Sequence, residues 1–313
     1  MKLSIAGAGV AGLCCAYELA RRGLEVTVYE RADSLNRNGC SHFAGGMLAP
    51  WCERESAEEP VLQLGRQSID WWVQVTQVTR AGTLVVAPPR DTAELARFAR
   101  NASGHQPADV AVLEPALSHK QGLFFAGEAH LDPRRALRAL AQACRDMGVT
   151  FRFGTPAPAG VDVACTGLAA GLPGLRPVRG EMLYVRSREV ELTRTVRLLH
   201  PRFPVYVVPR GDGVYMVGAT MIESSASGPV TLRSMMELLS TLYALHSGFA
   251  EAEVLETGSG LRPAFADNLP RVQRVGGCWH VNGLYRHGYL LAPAMAQQLA
   301  DRITEEVTHE NCG

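Results

Sequence analysis

KLSIAGAGVAGLCCAYELARRGLEVTVYE, residues 2–30, contains in order the parts of a βαβ nucleotide-binding unit. Leu3, Ile5 and Ala6 read as a short buried strand, followed by Gly7-Ala8-Gly9-Val10-Ala11-Gly12. A helix then runs to Arg22, with Gly23 as its stop, and residues 26–29 form a second strand ending at Glu30. The three glycines do different things. Gly7 permits the tight turn, Gly9 lets backbone approach a pyrophosphate, and Gly12 lets helix and strand pack closely. Val10 and Ala11 open the helix, whose free N–H groups and positive dipole end attract phosphate. Glu30 stands where an acid hydrogen-bonds a ribose diol, and its charge disfavours a 2′-phosphate. A secretory signal is a competing reading of Lys2 and the apolar residues 3–20. Glu18 interrupts that run, however, and Arg21-Arg22 follow it where small residues should precede a cleavage site.

The rest of the composition is compatible with a globular α/β protein. The chain has 313 residues, enough for about two domains. Hydrophobic residues make up 47% and charged residues 20%, and 31 basic side chains balance 31 acidic ones. That balance leaves no electrostatic footprint for nucleic acid or an anionic membrane. No apolar run reaches the ~20 residues of a membrane span. The eight cysteines are scattered, without a CxxC pair or metal-ligand spacing. They read as reduced buried thiols of a cytoplasmic protein, and no metal site is expected.

Two further segments indicate which dinucleotide is bound. Residues 36–50, NRNGCSHFAGGMLAP, place Cys40, Ser41, Ala44, Gly45, Gly46 and Met47 where backbone can lie along a flat ring. Near the end, VNGLYRHGYLLAP (residues 281–293) brackets a helix start with two glycines. It presents Leu284, Tyr285, Arg286, His287, Gly288, Tyr289 and Leu290 to an acceptor-rich ligand such as a flavin's pyrimidine edge. Between these segments, residues 161–165 read as a buried strand meeting Thr166-Gly167, so that Gly167 lets the strand end approach the cofactor.

The series GAGVAGL with Glu30-Arg31, SHFAGGMLAP, ACTGLAA, RGEML, YVVPRGDGVYMVGAT, GLRPAFADNLPRV and YRHGYLLAP resembles the glycine oxidases of the D-amino-acid oxidase (DAO) superfamily, especially their thiamine-biosynthetic type. The resemblance covers nearly the whole chain. It implies an α/β fold in which a Rossmann-like FAD-binding domain interleaves with an antiparallel-sheet (α+β) substrate domain. It also implies non-covalent FAD, with Arg31 and Gly167 among the residues around it, while His42 and His287 flank the flavin-facing segments as supporting residues. The implied reaction is oxidative deamination of glycine or a similar small amino acid. Hydride passes to flavin N5 and O2 is the acceptor, giving imine or glyoxylate, ammonia and H2O2. The imine would be handed to thiazole synthase for thiamine. Arg262 matches the family's carboxylate-binding arginine, Arg286 its second substrate-site arginine, and Tyr206 the tyrosine that closes the pocket. Arginine suits that role because its planar fork makes two parallel hydrogen bonds to one carboxylate. No side-chain base is required, since the flavin does the redox chemistry and the protein binds and orients. A D-amino-acid oxidase or dehydrogenase with a larger pocket, or a flavin-dependent amine-modifying or monooxygenase protein on the same fold, are the alternatives. A homo-oligomer is compatible with this reading. Around residues 153–161 the chain is shorter than many members, so no adenine contact is assigned there.

The domain division expected is discontinuous: residues 1–80, 131–180 and 256–313 bind FAD, and 81–130 with 181–255 bind substrate. Residues 60–78 have helical spacing, with Trp71-Trp72 as core anchors. Asp132-Pro133 starts another helix, whose stripe is Leu137, Leu140, Cys144 and Met147. Residues 205–208 and 214–217 read as strands joined by a Gly211-Asp212-Gly213 hairpin. The last helix runs to about Ile303.

Overall fold

β1 (Lys2–Ala6) and β2 (Glu25–Tyr29) pair in parallel, in register from Lys2–Glu25 to Ala6–Tyr29. α1 (Val10–Arg21) connects them and buries Leu13, Cys14, Cys15, Ala16 and Leu19 against the sheet. The computed structural model describes residues 1–35, 39–88, 90–200 and 204–310, without the side chains of 307–310. Of the expected flavin-facing segment, residues 36–38 lie outside the described residues.

The sheet containing β1 is assembled from distant parts of the chain. Its order is Arg271–Val275, Cys278–Asn282, Val163–Ala164, β1, β2, Thr150–Arg152, and only the first strand is antiparallel to its neighbour. The helix Pro133–Asp146 and the C-terminal helix Gly288–Glu310 pack with α1 in the same core. Asp132 caps the former by accepting from the N–H groups of Arg134 and Arg135 at 2.8 and 3.0 Å, a contact worth about 1 kcal/mol.

Among the described residues a second sheet has nine strands, running from Ile222–Glu223 through Arg176–Arg186, Val214–Gly218, Val205–Gly211, Thr195–Leu198, Thr83–Val86 and Gln121–Phe125 to Gln106–Asp109. Glu253–Ala264 also pairs with Arg176–Arg186 along its length. These pairs are antiparallel except Thr83–Val86 with Thr195–Leu198. Gly211-Asp212-Gly213 is the expected hairpin, all three at positive φ. The paired strands Arg176–Arg186 and Glu253–Ala264 run across the expected domain limits at 180 and 256.

Three local expectations change. Residues 60–78 form two short helices, Glu59–Gly65 and Ser68–Trp72. They break where Gly65 lies so close to Leu290 that a Cβ would be 2.9 Å from it. The break serves both tryptophans: Trp71 donates to Glu18 Oε1 at 2.6 Å, and Trp72 to the Tyr289 carbonyl at 2.8 Å. Met147 leaves its stripe because it is already the C-cap, 37% exposed. The last helix continues past Ile303 to Glu310.

Candidate active site

The glycine turn is built as its sequence requires. Gly7 has φ +99°, and a Cβ there would come within 2.7 Å of the Cys165 carbonyl oxygen. A Cβ on Gly12 would collide with the Gly7 carbonyl. At the head of α1, Gly9 gives no side-chain cap, and Val10 donates to Ser41 Oγ at 3.2 Å. Glu30 takes the Ala8 N–H at 2.9 Å on one oxygen and the Ala32 N–H at 3.1 Å on the other. A carboxylate has about four lone-pair sites, so acceptor capacity remains for a diol.

A cavity of about 1130 Å³ opens beside this turn. Its walls include Gly7, Gly9, Val10, Ala11, Glu30, Arg31, Cys40, Ser41, Gly45, Gly167, Leu284, Tyr285, Arg286, Gly288 and Tyr289. Sequence-distant segments thus meet along one surface. Two features fit an FAD there: a helix N-terminus whose N-cap is a glycine, so that backbone can face phosphate, and a length of cavity from that helix to the second sheet. Gly12 lies behind the surface in helix packing.

The loop at residues 40–47 is tied down by side chains. Gly45 lies against Tyr206, where a Cβ would be 2.7 Å from the ring. Gly46 has φ +70°, and its Cβ would strike the Leu131 carbonyl. These glycines therefore have packing reasons in addition to the ring approach read from sequence. Arg210 donates to the Gly45 carbonyl at 2.7 Å, and the Tyr289 hydroxyl reaches the carbonyls of Ser41 at 2.9 Å and Pro133 at 3.1 Å.

A smaller chamber of about 80 Å³ adjoins the first, with Gly45, Gly46, Met47, Glu53, Arg197, Tyr206, Arg262, Arg286, His287 and Leu290 among its walls. That volume holds roughly half a dozen water-sized groups. Arg262, on the strand Glu253–Ala264, donates one N–H to the Thr220 carbonyl at 3.0 Å. No carboxylate pairs with it among the described residues. Gly180 on the neighbouring strand makes this placement possible, because a Cβ there would collide with the guanidinium. Tyr206 lines both spaces, and burial raises its phenol pKa, keeping it a donor.

Arg286 is engaged differently. Its guanidinium is 2.6 Å from Glu53 and donates to Ser56 Oγ at 2.6 Å. His287 Nε2 is 2.9 Å from the same Glu53 oxygen. Burial pulls the His287 pKa down, so it is neutral near pH 7. Burial would raise the Glu53 pKa, but Arg286, the His287 hydrogen bond and Arg197 outweigh it and hold the carboxyl well below the usual range. His287 Nε2 thus sits between Glu53 and Arg286, whose Nε donates to it at 3.2 Å, and the three side chains form one hydrogen-bonded cluster.

Sequence reasoning missed Glu53, Arg197, Gly180, Arg210 and the cavity-lining Pro156-Ala157. Glu53 carried no motif, although it follows the flavin-facing segment by only a few positions. Arg197 was hidden by the apolar strand around it, but its charge is buried and 3.8 Å from Glu53. Thr155 in the shortened segment donates its N–H to the Glu30 carbonyl at 3.0 Å, which brings Pro156 to the cavity rim.

Comparison with known proteins agrees with this construction. Residues 2–302 match the DAO family, described as FAD dependent oxidoreductase. A Rhizobium etli protein named as the thiamine biosynthesis oxidoreductase ThiO is 56% identical over 98% of this chain and 97% of its own length. The Pseudomonas aeruginosa glycine oxidase is 28% identical over 96% of the chain and 94% of its own length. In three dimensions the Bacillus cereus glycine oxidase superposes with a TM-score of 0.83 at 23% identity, covering 97% of this chain and 95% of that one. With the glycine turn, the cavity and the match over almost its whole length in agreement, the chain belongs to the DAO family of FAD-dependent oxidoreductases and is of the glycine oxidase/ThiO type.

Proposed function

We propose that the chain oxidises glycine, or an amino acid nearly as small, at its amino-bearing carbon. The electrons pass to O2, and the imine formed hydrolyses to glyoxylate and ammonia beside H2O2. The observation carrying this reading is Arg262: a guanidinium without a carboxylate partner among the described residues, facing a chamber of about 80 Å³. Its remaining donors suit one substrate carboxylate. Tyr206 closes the chamber and donates to that carboxylate, and Arg286 borders it. When bound, FAD supplies the two-electron acceptor. The turn at residues 7–12 and Glu30 would hold its pyrophosphate and ribose. The segments 40–47 and 284–290 would hold its ring, with Gly167 closing one side. The substrate amine gives up its proton to water, since among the described residues of the chamber His287 is buried and bonded to Glu53. We assign the FAD-binding domain to residues 1–80, 131–180 and 256–313 and the substrate domain to 81–130 and 181–255, with Glu53, Arg262 and Arg286 reaching the chamber from the former.

A place in thiamine biosynthesis is supported by the ThiO relative and by proteins of Trichormus variabilis and Nostoc named as bifunctional ThiO/ThiG. The chain spans about half the length of the latter two, each 28% identical. We infer that its imine product serves thiazole synthase. Buried free thiols at Cys14, Cys15, Cys52, Cys144 and Cys165 support a reducing compartment such as the cytoplasm. Anaerobic mixing of the FAD-loaded protein with glycine, sarcosine and D-amino acids tests the proposal. Glycine should bleach the flavin. Bleaching by larger D-amino acids alone would favour the roomier alternative, and no bleaching by any of them would refute amino-acid oxidation.

A further inference from the structure

We propose that Glu53 determines how many carboxylates a ligand of this chamber carries: by holding Arg286 in an internal ion pair it admits one and rejects two. The proposal deepens the glycine reading and rests on it.

The argument is a count of charges around a small, partly buried space. Among the described residues, three arginines line the chamber, and a pocket with several free guanidiniums would favour a dianion. Two are already matched from within. Glu53 lies 2.6 Å from Arg286 and 3.8 Å from Arg197, and Glu55 lies 3.7 Å from Arg197. The donors of Arg286 are also occupied, by Ser56 Oγ at 2.6 Å, His287 Nε2 at 3.2 Å and Met221 Sδ at 3.5 Å. His287 is buried and adds a hydrogen bond to Glu53 but no charge. Arg262 is the lining cation left without a carboxylate among the described residues.

A second ligand carboxylate would have to displace Glu53 from a nearly buried pair. Its side chain is 13% exposed and that of Arg286 18%. A charge stripped of its partner in such surroundings is costly, so the exchange is unfavourable. Failing exchange, the second carboxylate faces Glu53 itself, and like charges at close range repel strongly away from bulk water.

The test titrates the FAD-loaded protein with malonate and with malonamate, its monoamide of nearly equal shape, following the flavin absorbance change without turnover. Wild type should bind malonamate at least tenfold more tightly than malonate. Glu53→Gln frees Arg286 and should shrink that ratio at least tenfold or reverse it. Glu53→Asp keeps the charge and should keep the preference. Equal binding of the two ligands by wild type would overturn the proposal, as would an unchanged ratio in Glu53→Gln. If Glu53→Gln fails to retain FAD, the wild-type ratio and Glu53→Asp still decide. Bleaching of wild type by glycine, measured in the same preparation, tests the parent reading separately.

Discussion

Replacing Arg262 with lysine keeps the positive charge and removes the planar fork. In the structure one arm of the guanidinium is spent on the Thr220 carbonyl at 3.0 Å, and the space for the group comes from Gly180 opposite. A lysine ammonium is a compact point charge on a flexible stem, so it can serve Thr220 or one carboxylate oxygen but cannot present two parallel donors. Losing one charge-assisted hydrogen bond costs about 1.5–3 kcal/mol. Misplacement of the α-carbon adds to this, giving about 2–4 kcal/mol, or roughly 30- to 1000-fold in kcat/KM. FAD should still bind, because the glycine turn and Glu30 that would hold its pyrophosphate and ribose lie in the other sheet, although Arg262 also lines the larger cavity. Stopped-flow flavin reduction against glycine concentration, with the flavin-to-protein ratio measured on the same sample, reads both quantities. A near wild-type kcat/KM in Arg262→Lys would remove Arg262 from the site.

Three other outcomes are expected. Acid precipitation should release yellow flavin to the supernatant, and a coloured pellet would contradict non-covalent FAD. Gly180→Ala should push the Arg262 guanidinium aside, weakening glycine at least tenfold in KM with FAD retained; unaltered kinetics would show that the collision is relieved at no cost. Glu128 is fully buried, accepts the Cys52 N–H at 2.6 Å, and has its pKa pushed up to about 8 by burial. Its folded pKa exceeds the unfolded value near 4.3, so the stability that its protonated form contributes is fully present at acid pH. It is lost progressively as pH rises toward 8. Glu128→Gln should therefore melt at a more nearly constant temperature between pH 5 and 8, and parallel wild-type and variant melting curves would count against this.

The nucleotide-binding unit was legible because each of its constraints is local. A turn at positive φ, a close helix crossing and an acid at a strand end each leave their own mark within residues 7–30. Arg262 and Arg286 were legible only through resemblance, since nothing in their spacing distinguishes them from other arginines. What escaped was the difference between them. Arg286 is matched by Glu53, which is remote in sequence, whereas among the described residues Arg262 has a carbonyl and no carboxylate. Charge matching is a property of folded neighbours and leaves no periodic trace. The break at residues 66–67 was likewise hidden, because Gly65 there packs against Leu290, far away in the sequence.

The position of Cys278–Asn282 within the first sheet has a consequence for synthesis on the ribosome. β1 forms early, but on its inner edge it must wait for Val163–Ala164, which in turn receives Cys278–Asn282. The cofactor surface therefore stays open until residues 278–282 have emerged. Pairings over such sequence separations are slow to find and leave strand edges exposed meanwhile. Nascent chains stalled before about residue 280 should be held by chaperones and be unable to take up flavin, and cofactor loading should follow the arrival of Cys278–Asn282.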